Sequence, residues 1–355
     1  MTTIKMVERL VNANAADFFR APRLGPASGL ALLVAFACAM PRDAAGAGLA
    51  DSSLAAASTP IVMPGLPTPR LGGYIQAREI AQERVGVTSV LNRARFSIDG
   101  ALPSKFSYRA LVEMEASAGA KSPATVSLRE AVARWAPGPF TVTAGEFKTP
   151  FTREYLIPVP SLELADLATV IDSLAPKYDV GVSIDYALGA AATFTAGVFN
   201  GEGANATANR DSTVMWVGRV AARPVSQLGV GASFTRDGPD SLRWGVDASA
   251  QEYGGVVRAE YVTRHKRGRD QGQDDFGWYV SESFRITPRV QLVARQEDFQ
   301  RPSRGTSKRL RGSAYGANYE IAPGKVRLLA EFARRISGPM QTRGDSFLAQ
   351  LQVQL

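Results

Sequence analysis

Phe140-Thr141-Val142-Thr143-Ala144-Gly145-Glu146-Phe147-Lys148 and Tyr178-Asp179-Val180-Gly181-Val182-Ser183-Ile184-Asp185-Tyr186 are two strand-like runs separated by residues 149–177, the longest connection in the chain. An insertion of this length is usually functional or disordered. This one is not low-complexity. Within residues 161–174, Leu164, Leu167, Ala168 and Ile171 share one helical face, and Glu163, Asp166 and Asp172 are polar. The spacing predicts a short amphipathic helix that packs against something.

The surrounding sequence has a period of two. Ala94, Phe96 and Ile98 alternate with Arg93, Arg95, Ser97 and Asp99, and Trp244, Val246, Ala248 and Ala250 alternate with Arg243, Asp247 and Gln251. Such alternation marks a strand with one apolar and one polar face. Sixteen runs of this kind are counted: 71–80, 89–99, 105–115, 125–135, 140–148, 178–186, 191–199, 212–222, 228–236, 242–250, 256–264, 276–285, 289–298, 310–321, 326–335 and 346–355. Runs 125–135 and 276–285 have no clean phase.

The connections between runs alternate in length. Residues 100–104, 136–139, 187–190, 223–227, 251–255, 286–288 and 322–325 are tight turns, many with Gly or Pro. The intervening connections are mostly longer and more polar, as in 200–211, 265–275 and 299–309, and only 237–241 is as short as the turns. Short turns at one end, long loops at the other, an even strand number and an apolar outer face predict a transmembrane β-barrel. The fold class expected is therefore all-β, an antiparallel barrel of about 16 strands over residues 71–355. The last run alternates Phe347, Ala349, Leu351 and Val353 with glutamines to the final residue, Leu355.

The chain has 355 residues, 45% of them hydrophobic and 21% charged. No stretch reaches the roughly 18 apolar residues of a spanning helix. Arg20 and Arg23 precede an apolar run, residues 30–40, and then Ala45-Gly46-Ala47. This order predicts a secretory signal peptide over residues 1–48, followed by a flexible lead-in over 49–70. The only cysteine, Cys38, lies in the leader, so no disulfide or thiol chemistry is expected. The whole chain carries a formal charge of +8.

Several phrases resemble the phosphate-selective porin O and P family. They are Gly73-Tyr74-Ile75-Gln76-Ala77-Arg78, Asn92-Arg93-Ala94-Arg95-Phe96, Ala144-Gly145-Glu146-Phe147-Lys148-Thr149-Pro150-Phe151, Asp179-Val180-Gly181-Val182, Phe199-Asn200-Gly201, Gly316-Ala317-Asn318-Tyr319 and Lys325-Val326-Arg327-Leu328. The resemblance implies a sixteen-stranded homotrimeric porin of the Gram-negative-type outer membrane, with its third external loop, here residues 149–177, folded into the lumen. It also implies contact with outer-membrane lipid and lipopolysaccharide, and passage of small anionic or polar solutes. The family's phosphate-binding lysine cluster has no counterpart here. The insert carries Glu154, Glu163, Asp166 and Asp172 against Arg153 and Lys177.

Side chains facing the lumen decide what passes. The expected pore-lining cations are Arg93, Arg95, Arg109, Lys148, Arg219, Arg243, Arg258, Arg295 and Arg327, and Lys105 is also read as inward. They are opposed by Asp99, Glu113, Glu115, Asp247, Glu260, Glu297, Glu320 and Glu331. Two arrangements fit: a lattice of ion pairs lining a polar wall, or a basic track for anions such as phosphate and other oxyanions. The function expected is passive diffusion with a modest anion preference, without a catalytic step, cofactor, metal or nucleic-acid partner. The alternatives are a barrel enzyme and a secreted all-β binding protein. His265, the sole histidine, is expected to be solvated.

Overall fold

The computed structural model describes residues 68–355 except 84, 116–124, 207, 240, 268–271, 303–306 and 338–341. The expected leader and nearly all of the lead-in lie outside the described residues. Sixteen strands follow in order: β1 (Arg70–Gln82), β2 (Gly86–Leu102), β3 (Phe106–Glu115), β4 (Thr125–Trp135), β5 (Phe140–Lys148), β6 (Tyr178–Leu188), β7 (Ala192–Phe199) and β8 (Met215–Val225). The second half comprises β9 (Leu228–Asp237), β10 (Ser241–Glu252), β11 (Gly255–Lys266), β12 (Asp275–Thr287), β13 (Val290–Arg301), β14 (Lys308–Ala322), β15 (Val326–Ser337) and β16 (Thr342–Gln354). Each strand pairs with its sequence neighbours, and β1 closes on β16 from Tyr74↔Gln354 to Gln82↔Ser346. Closure leaves no sheet edge, which is what hydrocarbon demands of a spanning β-structure.

The strands run further outward than the alternation indicates. The outer connections 83–85 and 338–341 are as short as 238–240, so three outer loops are short, not one. The paired ribbons simply continue where the side-chain pattern turns polar on both faces. Lys105 also departs from the reading. It occupies the turn before β3 at φ 66° and is exposed.

Both runs without a clean phase have a structural cause. In β4, Leu111 pairs with Glu130 and Val112 with Leu128, leaving Arg129 as the extra residue of a bulge. A bulge breaks the two-residue period, so Arg129 and the adjacent Glu130 both bond inward-facing partners, Glu113 and Arg109. In β12 the period is intact but the chemistry is mixed. Tyr279 is buried on the inner face, and Glu282 stands exposed on the outer face beside Phe284.

The outer face carries aromatic rings near both ends. Phe106 stacks on Trp135 at 6.0 Å and Phe140 meets Tyr186 at 5.0 Å near the short turns, while Trp244 meets Tyr261 at 5.5 Å toward the loops. Two such girdles around an apolar band are the lipid-facing pattern of outer-membrane barrels. Between β4 and β5 the ladder is short, running only from Ala131↔Glu146 to Trp135↔Val142. Beyond it, the Asn205 side chain accepts from Leu128 N–H at 3.0 Å and donates to Leu128 C=O at 3.0 Å. One amide thus satisfies an otherwise open edge.

Gly145 is held at φ 126°, and a Cβ there would lie 2.0 Å from the Ala131 carbonyl oxygen. The obstacle is backbone and cannot swing away. Gly145→Ala is expected to destabilise the barrel by at least ~1–3 kcal/mol. The check is the temperature at which the folded form is lost in a heat-modifiability assay; an unchanged temperature would refute the strain.

Candidate functional site

The insert between β5 and β6 holds two short helices, α1 (Arg153–Leu156) and α2 (Thr169–Leu174), and a 3-10 turn at Val159–Ser161. The helix expected over 161–174 forms only over its last six residues, Thr169–Leu174. Residues 163–167 are not helical because wall side chains take their backbone groups. Asn318 donates to Glu163 C=O, Arg78 to Ala165 C=O and Arg295 to Asp166 C=O, while Glu331 accepts from Ala165 N–H, at 2.7–2.9 Å. The apolar residues of the expected face are nevertheless covered: Ala168 and Ile171 are fully buried, Leu164 almost so, and Leu167 packs against them.

These contacts define the path of the insert. Glu260 of β11 accepts from the Arg153 and Glu154 N–H groups and from Tyr279 Oη, and Glu297 of β13 accepts from Thr169 N–H and Oγ1. Gln352 of β16 donates to Pro160 C=O, and Ile171, Val170 and Leu174 pack with Val262, Tyr279 and Phe299. A segment rooted between β5 and β6 that touches the inner faces of β10 through β16 and of β1 runs through the barrel interior.

Most acids of the insert are matched by a cation of that wall. Asp166 meets Arg78 at 3.0 Å, Glu163 meets Arg258, and Glu154 meets Arg295 at 3.5 Å; Asp172 meets Lys177 within the insert. In the other direction, Arg153 of the insert reaches Asp247 at 2.7 Å, where Arg219 also binds at 2.7 Å. Arg219, Arg258 and Arg295 are therefore tied up in ion pairs that involve or adjoin the insert. Arg243 lies 3.8 Å from Asp237 near the loop end. Arg327 stands opposite Glu320 in register, and its Nε has no hydrogen-bond partner among the described residues.

A second group lies on β2–β4. Arg93 and Arg95 both approach Glu113, at 3.3 and 2.8 Å, and Arg129 bonds its other oxygen. Arg109 joins Asp99 and Glu130, each at 2.8 Å. Lys148, at the start of the insert, donates to the carbonyls of Tyr155 and Ile157 at 2.6 and 3.0 Å and lies 4.9 Å over the Tyr155 ring. The geometry thus divides the nine expected cations. Arg93, Arg95, Arg109 and Lys148 come together on one wall, and the others are dispersed. Sequence reading missed Arg129, hidden by the bulge, and Arg78, whose phase on β1 was legible but whose partner was not.

His265 is not merely solvated. Trp244 Nε1–H donates to its Nε2 at 3.0 Å, and its Nδ1 lies 2.6 Å from Asp274. The tautomer that satisfies both carries the proton on Nδ1.

The electrostatics of the insert set its response to pH. Burial pushes the Glu154 carboxyl above its usual range, against the pull of Arg295 and the Ala168 N–H. Burial acts on Asp166 in the same direction, but Arg78 outweighs it and holds that carboxyl below the usual range. The Asp166 contribution is therefore full above the usual carboxylate range and lost as pH falls through its lowered value. That of Glu154 is full below the usual range and lost as pH rises through its raised value.

Two outcomes follow for purified protein. Arg295→Ala would strand Glu154 and Glu297, which is expected to cost ~3–5 kcal/mol, read as a lower denaturant midpoint; an unchanged midpoint would contradict the anchoring role. Asp166→Asn is expected to start less stable at neutral pH and to show a flatter acid limb in melting temperature. An acid limb as steep as the wild type's would mean that Asp166 is not the group responsible.

Comparison with known proteins bears on the whole assembly. The phosphate-selective porin O and P family matches residues 82–240. No curated protein matches the chain. Among solved structures, the chain is similar to the outer membrane channel DcaP of Acinetobacter baumannii, with a TM-score of 0.65 and 9% identity over 83% of this chain and 99% of that one. It is also similar to a loop L8 deletion mutant of OmpT, an outer membrane protein of Vibrio cholerae, with a TM-score of 0.63 and 14% identity over 82% and 100%. An anion-selective porin from Comamonas acidovorans gives a TM-score of 0.60 and 10% identity over 81% and 99%. The barrel is that of an outer-membrane porin, and over residues 82–240 the chain carries the sequence pattern of the phosphate-selective porin O and P family.

Proposed function

We propose that this porin passes small hydrophilic solutes with a modest preference for anions, phosphate and other oxyanions among them, and that the preference arises on the β2–β4 wall facing the insert. The observation that carries the reading is the crowding of Arg93, Arg95 and Arg129 on the single carboxylate Glu113. Counting Arg109, the ion-paired groups of this wall are four cations, Arg93, Arg95, Arg109 and Arg129, against three carboxylates, Glu113, Asp99 and Glu130, a surplus of one, with the Lys148 ammonium of β5 adjoining them. A similar crowding, of Arg264, Lys266 and Arg301 on Asp275, lies at the loop ends of β11–β13 and not on this wall. Opposite charges closer than the Debye length, ~8 Å at physiological salt, cancel beyond that distance. A local surplus at the narrowest part is therefore what a passing ion would feel.

The insert has the constricting role in this reading. Its acids are matched to Arg78, Arg258 and Arg295 on the far wall, so they offset the basic wall less than their number suggests. Guanidinium groups already held by a carboxylate keep donors for a passing oxyanion, and their shared partner lowers affinity enough for release. Conduction needs binding weak enough to leave. The chain is expected to act as a channel and not as an enzyme, and assembly as a homotrimer is expected from the family resemblance; a trimer form has been described for OmpT of Vibrio cholerae.

The test is the reversal potential in planar bilayers under a salt gradient. Arg93→Ala combined with Arg95→Ala should shift it toward cations while the barrel stays folded, because lumen substitutions tune selectivity. Glu113→Gln should shift it the other way. If neither moves the potential, the β2–β4 wall does not set selectivity. If millimolar phosphate strongly blocks chloride current in the wild type, a tight phosphate site exists and the preference is not modest.

A further inference from the structure

Thr152, near the root of the insert, is held in a conformation that its side chain opposes. Its backbone lies at φ 61° and ψ 152°, a region that a β-branched residue rarely adopts. The residue is buried, and its Oγ1 has no hydrogen-bond partner among the described residues. Solute passage gives no reason for either cost. Strain of this kind persists only where the surroundings over-determine it.

The surroundings do so from the β10–β12 wall. The next two backbone N–H groups, of Arg153 and Glu154, donate to the two oxygens of Glu260 at 3.0 and 2.5 Å, and Tyr279 Oη donates to the same carboxylate at 2.8 Å. The Arg153 guanidinium donates to Asp247 at 2.7 Å, and Phe151 is fully buried in a cluster with Val262 and Tyr279. All these ties draw α1 toward one wall. The opposing tie is Lys148, which donates from the end of β5 to the carbonyls of Tyr155 and Ile157. Outside the strained residue the root is clipped shut, with Thr149 N–H donating to Lys177 C=O at 3.2 Å and Thr149 Oγ1 to Pro176 C=O.

We infer that the insert is a strap with two positions, hinged at Thr152 and latched by Glu260, and that its unlatched position closes the passage. When Glu260 lets go, Thr152 relaxes to a negative φ while the tie to Lys148 remains. Lys148 adjoins Arg93 and Arg95, so α1 moves off β10–β12 and into the lumen before the β2–β4 wall. The membrane potential acts on the strap, because residues 149–177 carry four acids against two cations. The inference rests on the constricting role proposed for the insert.

The experiment pairs single-channel recording over a range of voltages with pulsed electron paramagnetic resonance on the same folded porin. The spin labels sit on Asp172→Cys in the insert and Ser226→Cys at the β8–β9 turn, with Cys38→Ser. Wild type should show voltage-dependent closures and a minor second label distance. Thr152→Gly takes the observed φ without a Cβ. It should favour the seated position and make closures rarer by about fivefold or more at a given voltage. Glu260→Gln leaves one of the two N–H groups without an anionic acceptor, and should make closures more frequent and enlarge the second distance population. Closures in Thr152→Gly as frequent as in wild type, or more so, would overturn the hinge. A single distance shared by wild type and Glu260→Gln would overturn the latch. If Glu260→Gln folds poorly, Tyr279→Phe, which removes one hydroxyl from the latch, is read in the same way. A second distance without closures would retain the hinge and refute the constricting role instead.

Discussion

Everything in this molecule depends on closing one hydrogen-bond ladder. No helix among the described residues is long and apolar enough to cross hydrocarbon; strands can do so only if each finds two neighbours, and the pairing of β1 with β16 completes that circuit. Closure fixes which residues face lipid and which face inward, because the period of two allows no other choice once register is set. The inward polar residues could not form a packed apolar core. They form an ionic one, in which Glu113, Asp247, Glu260 and Arg295 are buried but bonded.

The insert is the consequence of that ionic interior. Its helices are too short to hold themselves, and helical propensity contributes little to four- and six-residue segments. The wall supplies what the sequence of the insert lacks: carboxylates for its N–H groups, and arginines and an asparagine for its carbonyls. Arginines that look like a continuous basic lining are thereby divided into two populations. One holds the insert against β10–β16 and β1. The other remains on β2–β4, in excess over its carboxylates.

Much of the fold could be read from the chain because strand alternation and turn chemistry are local signals. Residues 140–148, read from alternation and the flanking turn, coincide with β5. The failures were non-local. Arg129 faces inward because of a bulge set by pairing with β3. Tyr279 breaks the polar inner face because it packs under the insert. Residues 162–168 keep a helical spacing of apolar residues but are held as bends and irregular chain by wall contacts from strands more than a hundred residues away. The candidate cations were identified as inward without knowledge of partners, and partner choice separates Arg93 from Arg295. His265 looked isolated because Trp244 lies on another strand.

The central claim is that a closed barrel narrowed by its own loop conducts ions and favours anions. Zero-current potential across a planar bilayer holding the wild-type protein in a potassium chloride gradient tests it most directly. The account predicts discrete channel openings and a reversal potential displaced modestly toward the chloride equilibrium value. A potential displaced toward the potassium value would contradict the charge assignment, and an absence of channel openings from correctly folded protein would contradict the porin account itself.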